Sequence, residues 1–494
     1  MQHERSSRQA GPAAHELSRN RRIGVLLICS MSLLIVGLDV NIVNVALPSI
    51  GRELHAGVSG LQWVVDAYTL VLASLLMLSG STADRLGRRR TFVIGLSAFS
   101  AGSLMCSLAP TAGFLIAFRM LQAVGGSMLN PVAMSIITNT FIDPRERAQA
   151  VGVWGAVIGI SMALGPVLGG ILVSAVGWRS IFWINLPVGL TAIALALAYI
   201  PESKAPRARR FDPVGQVMMI VLFATLTFGI IEAPRMGWGS VPIVAAFAAA
   251  AAALVGLLIY EPRLDEPLLD LRFFRSIPFA SATLTAVAAF AAQGGFLFLN
   301  TLYLQEVRGL SALHAGLDTL PMAGLTMIAA PISGRIVGTR GTRLPLLLAA
   351  AFLTAACVML TFVGPTTPFR WLFAAYVAFG LGFGLVNAPI TNTAVSGMPR
   401  AQAGVASAVA STSRQVGATL GVAVVGALVT SSVHGAFRSD FTNASHVGWV
   451  ILAGCGAAIF VLGLASTTQR ARASAHRVAL EFNPEMVAPT VVNS

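Results

Sequence analysis

The sequence predicts an all-α membrane protein in which fourteen transmembrane helices form two six-helix bundles and a central helix pair. Three observations carry that expectation. The 494 residues are 55% hydrophobic and only 11% charged, with a mean hydropathy of +0.77, whereas a soluble chain has about 25% charged residues. The apolar residues fall into runs of about the 20 residues that a hydrocarbon core of about 30 Å requires. Each run ends at a charged or Gly/Pro-rich joint.

In chain order, residues 1–22 are polar and basic, and the apolar run after them lacks a small-residue cleavage site. They read as a tail leading into a retained first helix rather than a cleaved signal peptide. Six runs follow near 23–47, 61–82, 91–109, 112–138, 149–175 and 179–199, giving an N-terminal bundle over 23–199. The linker 200–278 holds two further runs, near 213–232 and 240–260. The last six lie near 279–304, 313–337, 345–363, 371–391, 404–430 and 447–466. They give a C-terminal bundle over 279–466, with a tail at 467–494.

An even number of spans puts both termini on one side. With that side cytoplasmic, Arg52, Arg179, Arg235, Arg308, Arg370 and Arg438 face outward, and Arg119 and Arg414 lie within spans. The rest of the 33 Lys and Arg residues then face the cytoplasm, including the KAPRARR stretch at 204–210. Such asymmetry is the positive-inside signal of membrane topology. Lys204 is the sole lysine, a usage that suits a GC-rich bacterial genome. A multi-pass protein of the bacterial cytoplasmic membrane is therefore expected.

The same features exclude other classes. The formal charge of +13 sits in short clusters between apolar runs, so no soluble basic module offers itself to nucleic acid. Cys29, Cys106, Cys357 and Cys455 lie inside apolar runs without a CxxC pair, which fits core residues rather than a zinc site or disulfide framework. A phosphate-binding loop needs GxxxxGK[ST], and the lone lysine lies in PESKAP. No HExxH pair and no large polar loop supports an enzyme, and no cofactor or metal is expected.

An internal repeat is also legible. GRIVGTRGTRL (334–344) reads as a worn copy of GSTADRLGRRR (80–90), with Gly338 where Asp84 stands and Gly334 and Gly341 matching Gly80 and Gly87. Repeated halves of this kind place a substrate site at their interface, near the midplane.

Several residues stand out chemically. Asp39 is the only ionisable residue between Ile23 and Ile50, and a charge in the bilayer needs a cavity or a partner. Arg119 lies at a comparable depth, roughly 11 Å below the same surface at 1.5 Å per residue. The two can form a protonation switch, since desolvation and a neighbouring cation act on the carboxyl in opposite directions. A fixed structural ion pair is the alternative. In GAVIGISMALGPVLGG (155–170), Gly155, Gly159, Gly165, Gly169 and Gly170 permit close helix approach, and Pro166 lacks a backbone donor and favours a bend. Asn41, Asn44, Gln122, Asn300 and Asn387 are polar positions expected along a central cavity. Asn130, Gln293, Asn392 and Arg414 are others within spans. Asp66, Glu232, Glu306 and Asp318 lie near helix ends, where hydration at the rim is expected.

Taken together, LDVNIVNVALPSI (38–50), QWVVDAYTL (62–70), GSTADRLGRRR (80–90), RMLQAVGG (119–126), LGPVLGG (164–170) and GWRSIFWINLPVGL (177–190) resemble the major facilitator superfamily, in its fourteen-helix drug:proton antiporter branch. The resemblance spares only the two ends of the chain. It departs from the branch at Ala123, where glycine usually follows the glutamine, and at Asn41, where threonine is commoner.

The resemblance implies the major facilitator fold, with the first and fourth helices as neighbours. It implies proton coupling through Asp39 and Arg119, and a fifth helix of the antiporter type. It also implies a cytoplasmic gate at Gly80, Asp84, Gly87 and Arg88, in which Asp84 latches a neighbouring helix end in the outward-open state. The expected activity is proton-coupled export of amphipathic small molecules such as antibiotics and dyes, by a monomer among membrane lipids. A dedicated exporter of one endogenous product is the alternative, ahead of a solute:proton symporter and a membrane enzyme.

Overall fold

The computed structural model describes residues 18–204, 212–264, 266–395, 403–432 and 437–482. The expected N-terminal tail before residue 18, residues 205–210 of the basic stretch and residues 483–494 lie outside the described residues. The spans are α1 (Arg19–Glu53), α2 (Val58–Leu86), α3 (Arg88–Ser107), α4 (Ala112–Thr140), α5 (Pro144–Ala175), α6 (Ser180–Tyr199), α7 (Pro213–Met236) and α8 (Val241–Tyr260). They continue with α9 (Ile277–Leu302), α10 (Ala312–Arg340), α11 (Arg343–Leu360), α12 (Phe369–Val395), α13 (Ala403–Ser432) and α14 (Phe437–Ser466). Among the described residues, thirteen helices are long and apolar enough to cross a membrane. The fourteenth, α3, has the length, at 20 residues, but its serines and glycines dilute its apolarity. Those small residues serve packing instead. A Cβ on Gly102 would lie 2.6 Å from Gln122 Cα, so α3 and α4 touch backbone to backbone there.

The two bundles repeat one another contact for contact. In the first, α1 packs on α5, α2 on α4, and α3 on α4 and α6. In the second, α9 packs on α13, α10 on α12, and α11 on α12 and α14. The turns after α2 and α10 use Gly87 at φ 110° and Gly341 at φ 79°, a backbone region open to glycine and strained for other residues. The repeat read from those glycines is therefore structural.

The bundles meet along two seams, α2 with α13 and α5 with α10, which exchange under the repeat. The central pair stands beside the first seam. Helix α7 packs on both α2 and α13, and Gln216 Nε2 donates to the Ser74 carbonyl.

A fifteenth helix, α15 (Gln469–Phe482), occupies what the sequence left as a tail. It buries Ala471, Ser474, Ala475 and Val478, and the Ile277 amide donates to Ser474 Oγ at 3.0 Å. That stripe is too weakly apolar to announce a helix in the sequence.

Contacts between the bundles are unequal at the two membrane faces. At the face opposite the termini, Arg52 pairs with Glu306 at 2.8 Å, and Gln305 Nε2 donates to the Val45 carbonyl at 2.8 Å. Toward the terminal face, a Cβ on Gly152 of α5 or on Gly334 or Gly338 of α10 would meet nothing within 4 Å. The two bundles are thus tied together at the far face, while at the terminal face these glycines of α5 and α10 have open space beside them.

Candidate functional site

Asp39 and Arg119 meet, as their depths predict. The Asp39 Oδ2–Arg119 Nη1 ion pair joins α1 to α4, and each residue is 1% exposed. Burying two charges costs several kcal/mol per ion unless the remaining hydrogen-bonding sites are filled, and here they are filled. Gln122 Nε2 donates to Asp39 Oδ1 at 2.8 Å, and Asn185 Nδ2 donates to the same oxygen at 3.2 Å. Both amides also donate to Ser103 Oγ, at 2.7 and 3.2 Å.

The guanidinium has further holders. Its Nη1 donates to Gln122 Oε1 at 2.7 Å and its Nε to the Val64 carbonyl at 3.2 Å. Its Cζ lies 4.1 Å from the centroid of the Tyr68 ring, a distance at which a cation is attracted to an aromatic face. Five helices of one bundle, α1, α2, α3, α4 and α6, thus converge on one buried pair. Asn185, Ser103 and Tyr68 went unnoticed in the sequence. Asn185 follows the break in α6 after Trp183, and an asparagine beside a helix break inside an apolar run was the available signal.

The other polar positions scatter. Gln122 belongs to the ion-pair network. Asn41 and Asn44 turn their amides onto their own helix, donating to the Gly37 and Val40 carbonyls. Asn300 accepts from Tyr376 Oη at 2.6 Å inside the second bundle. Asn387 makes a 3.5 Å contact with the Phe383 carbonyl.

The glycines of α5 lie along a seam. A Cβ on Gly165 would sit 2.6 Å from Asn41 Cβ and one on Gly169 2.8 Å from Ile42 Cγ1, both toward α1. One on Gly170 would sit 2.6 Å from Leu313 Cα, in the other bundle, and one on Gly159 3.4 Å from Met327 Cγ. From the facing side, a Cβ on Gly316 would sit 2.3 Å from the Pro166 carbonyl oxygen. Helix α5 runs unbroken through Pro166. Gly155 lies on it too, with its surroundings outside the described side chains.

At the terminal face, Asp84 Oδ1 accepts from Arg88 Nη2 at 3.3 Å. Asp84 lies in the last turn of α2, so it does not hold the first amides of α3. Glu202 takes that place, accepting from the Arg89 and Arg90 amides at 3.1 and 3.2 Å. Its carboxylate fills the space beside Gly87, whose added Cβ would lie 2.4 Å from Glu202 Oε1. Gly80 has open space around it.

Two acids expected at a hydrated rim are buried instead. Asp66 is fully buried, with no hydrogen-bond partner among the described residues for either oxygen. It lies between Gln62, which donates to the Ala423 carbonyl, and Thr69, which is bonded to Thr419 at 2.7 Å, on the face of α2 turned to α13. Glu232 accepts from Ser59 Oγ and Trp63 Nε1, both at 2.9 Å, tying α7 to α2.

Comparison with known proteins follows this geometry. A family model described as Major Facilitator Superfamily matches residues 29–422. The chain is 38% identical over 409 residues to the Multidrug resistance protein Stp of Mycobacterium tuberculosis, covering 82% of this chain and 75% of that one. It is 36% identical over 433 residues to the Tetracenomycin C resistance and export protein of Streptomyces glaucescens, covering 86% and 79%. A solved bacterial homolog of the human lysosomal transporter Spinster, inward-facing and occupied, shares the fold at a TM-score of 0.64. It is 15% identical, covering 91% of this chain and 98% of that one.

Proposed function

The chain belongs to the major facilitator superfamily, and from that premise we propose that it exports amphipathic small molecules, such as antibiotics and dyes, in exchange for protons. It is a multi-pass membrane protein. Its place is the bacterial cytoplasmic membrane, both termini cytoplasmic, with lipid around a functional monomer. The terminal face is then the cytoplasmic side, and the ties at the far face, with open glycines on α5 and α10 at the terminal one, support an inward-facing reading. Relatives named for multidrug resistance and for tetracenomycin C export support a drug-like cargo.

One observation carries the coupling. Arg119 is held at once by Asp39 on α1 and by Val64 and Tyr68 on α2, and α2 is a seam helix. Movement at the seam therefore acts on the environment of the only carboxylate that Arg119 neutralises. A proton arriving on Asp39 removes the charge that holds Arg119, and the arginine is left to α2 and Gln122. Proton binding and seam position thus bias one another, as alternating access requires.

The glycines of α5 work with Pro166 to close the far side against proton leak: Gly159 and Gly170 face α10 across the seam, Gly165 and Gly169 seat α5 on α1, and Gly155 belongs to the same helix. Asn41, Asn44, Gln122, Asn300 and Asn387 supply the polarity along the path. At the gate, Gly80 and Gly87 shape the turn. Asp84 is paired with Arg88 in this state and exchanges partners when the cytoplasmic side closes.

Proteoliposomes under an imposed pH gradient, loaded with fluorescent cations and antibiotics, test the reading. Substrate movement should follow the gradient and fail in Asp39→Asn. Movement down the substrate's own gradient, indifferent to pH, would refute exchange. A relative named for export of a single antibiotic favours a second reading, a dedicated exporter of one product. The same panel separates the two by the breadth of what moves.

A further inference from the structure

At the terminal face, away from the ion pair, two carboxylates meet where the central helix pair begins and ends. Asp212 caps α7, and Glu261 lies in the turn Glu261–Arg263 beyond the end of α8. They are 7% and 1% exposed. One oxygen of each is occupied. Asp212 Oδ1 accepts from the Gly215 amide at 2.9 Å and from Tyr260 Oη at 3.3 Å, and Glu261 Oε2 accepts from the Leu269 amide at 3.2 Å.

Among the described residues, the other two oxygens, Asp212 Oδ2 and Glu261 Oε1, are buried without a hydrogen-bond partner. They share one small space. A Cβ added to Gly215 would lie 2.2 Å from the first and 2.5 Å from the second. Two ionised carboxylates this close repel one another in a medium that screens poorly. A single proton held between them removes one of the two charges.

We propose that Asp212 and Glu261 form a buried proton-binding site, in which one proton bridges Asp212 Oδ2 and Glu261 Oε1 and fastens the segment 266–273 to the central helix pair. The surrounding groups select a proton over a metal ion. Gly215, Leu269 and Tyr260 turn donors toward the pair, whereas Ca²⁺ takes about 6–8 oxygen ligands and Mg²⁺ a full octahedron.

The segment so fastened reaches the closing side of the molecule. Leu269 and Phe273 pack in a cluster with Phe279 and Ala406 of the second bundle and Met77 of the first. The site therefore controls a strap laid where the two bundles meet at the terminal face. Its other charged neighbour is Asp270, which is paired with Arg272. Burial, opposed by the Leu269 amide and aided by Asp212 and Asp270, pushes the Glu261 carboxyl up to about 7.

The sign follows from linkage. The docked strap binds the proton and the released strap does not, so docking is strongest at low pH. It weakens about tenfold per pH unit as pH rises from the ordinary carboxylate range to about 7, and is level above that.

Hydrogen exchange of the full-length protein in lipid nanodiscs, from about pH 5.5 to about 8.5 and corrected for intrinsic rates, reads this directly. Protection over Leu269–Phe273 should fall with pH up to neutrality and then flatten. Glu261→Gln, which keeps the acceptor for Leu269, should hold acid-level protection at every pH. Asp212→Asn, which keeps the helix cap, should lower the midpoint. A flat profile in the unsubstituted protein, or an unchanged slope in Glu261→Gln, would overturn the proposal. Recovery of protection at alkaline pH on adding Mg²⁺ or Ca²⁺ would overturn it too, by assigning the site to a metal.

Discussion

Tyr68 lies beneath the guanidinium of Arg119, 4.1 Å from ring centroid to Cζ, while Val64, one turn earlier on α2, accepts its Nε. The cation of the buried pair is thereby anchored to α2 as well as to Asp39 on α1. Removing either anchor should have a distinct signature.

Asp39→Asn leaves Arg119 buried beside neutral partners. Losing one member of a buried pair costs about 3–5 kcal/mol, so the melting temperature should fall as gradient-driven exchange disappears. Asp39→Asn with Arg119→Gln should recover much of the stability and none of the exchange. A double variant no more stable than the single would contradict the pairing.

Tyr68→Leu keeps bulk and removes the aromatic face. A desolvated cation over such a ring is worth about 2 kcal/mol. Stability should drop by roughly that much, and the pH at which exchange is half-maximal should shift. Tyr68→Phe should change neither, because Tyr68 Oη has no hydrogen-bond partner among the described residues.

Gly316→Ala sets a methyl group against the Pro166 carbonyl, and Gly170→Ala sets one against Leu313. Overpacking of this kind costs about 1–3 kcal/mol, and the closed far face bears that cost. A cysteine placed by Ser49→Cys should react faster with an impermeant thiol reagent in both variants. Gly334→Ala, with open space around it, should leave that rate unchanged.

Glu202→Ala removes the acceptor for two free amides at the start of α3. Loss of a helix cap costs about 0.5–2 kcal/mol, measurable as a lower melting temperature, with Glu202→Gln milder. Gly87→Ala should be worse than either, since it combines a φ of 110° with a clash against Glu202.

The legible part of the site was its charges. Asp39 and Arg119 were visible because each is isolated in an apolar run, and depth along a helix follows from counting residues. Asn185 and Ser103 were not, because their roles depend on α3 meeting α4 at Gly102, a tertiary approach that no periodicity encodes. Asp66 and Glu232 were misread for a related reason. Nearness to a helix end predicts water, but α13 covers the first and α2 the second. Helix α15 escaped because alanine and serine make up most of its docking face.

The central pair makes the two seams unlike. Leu70 and Ala73 of α2, Phe223 and Thr227 of α7, and Val416 and Leu420 of α13 line one shared pocket, so α7 stands between the α2–α13 seam and the surrounding bilayer. Among the described residues the α5–α10 seam has no such neighbour, and Ile160 and Leu164 of α5 and Met327 and Ile328 of α10 remain exposed. A molecule dissolved in the membrane thus meets a protein with one sealed flank and one bare flank. Such a molecule reaches the α5–α10 flank directly and the α2–α13 flank only past α7.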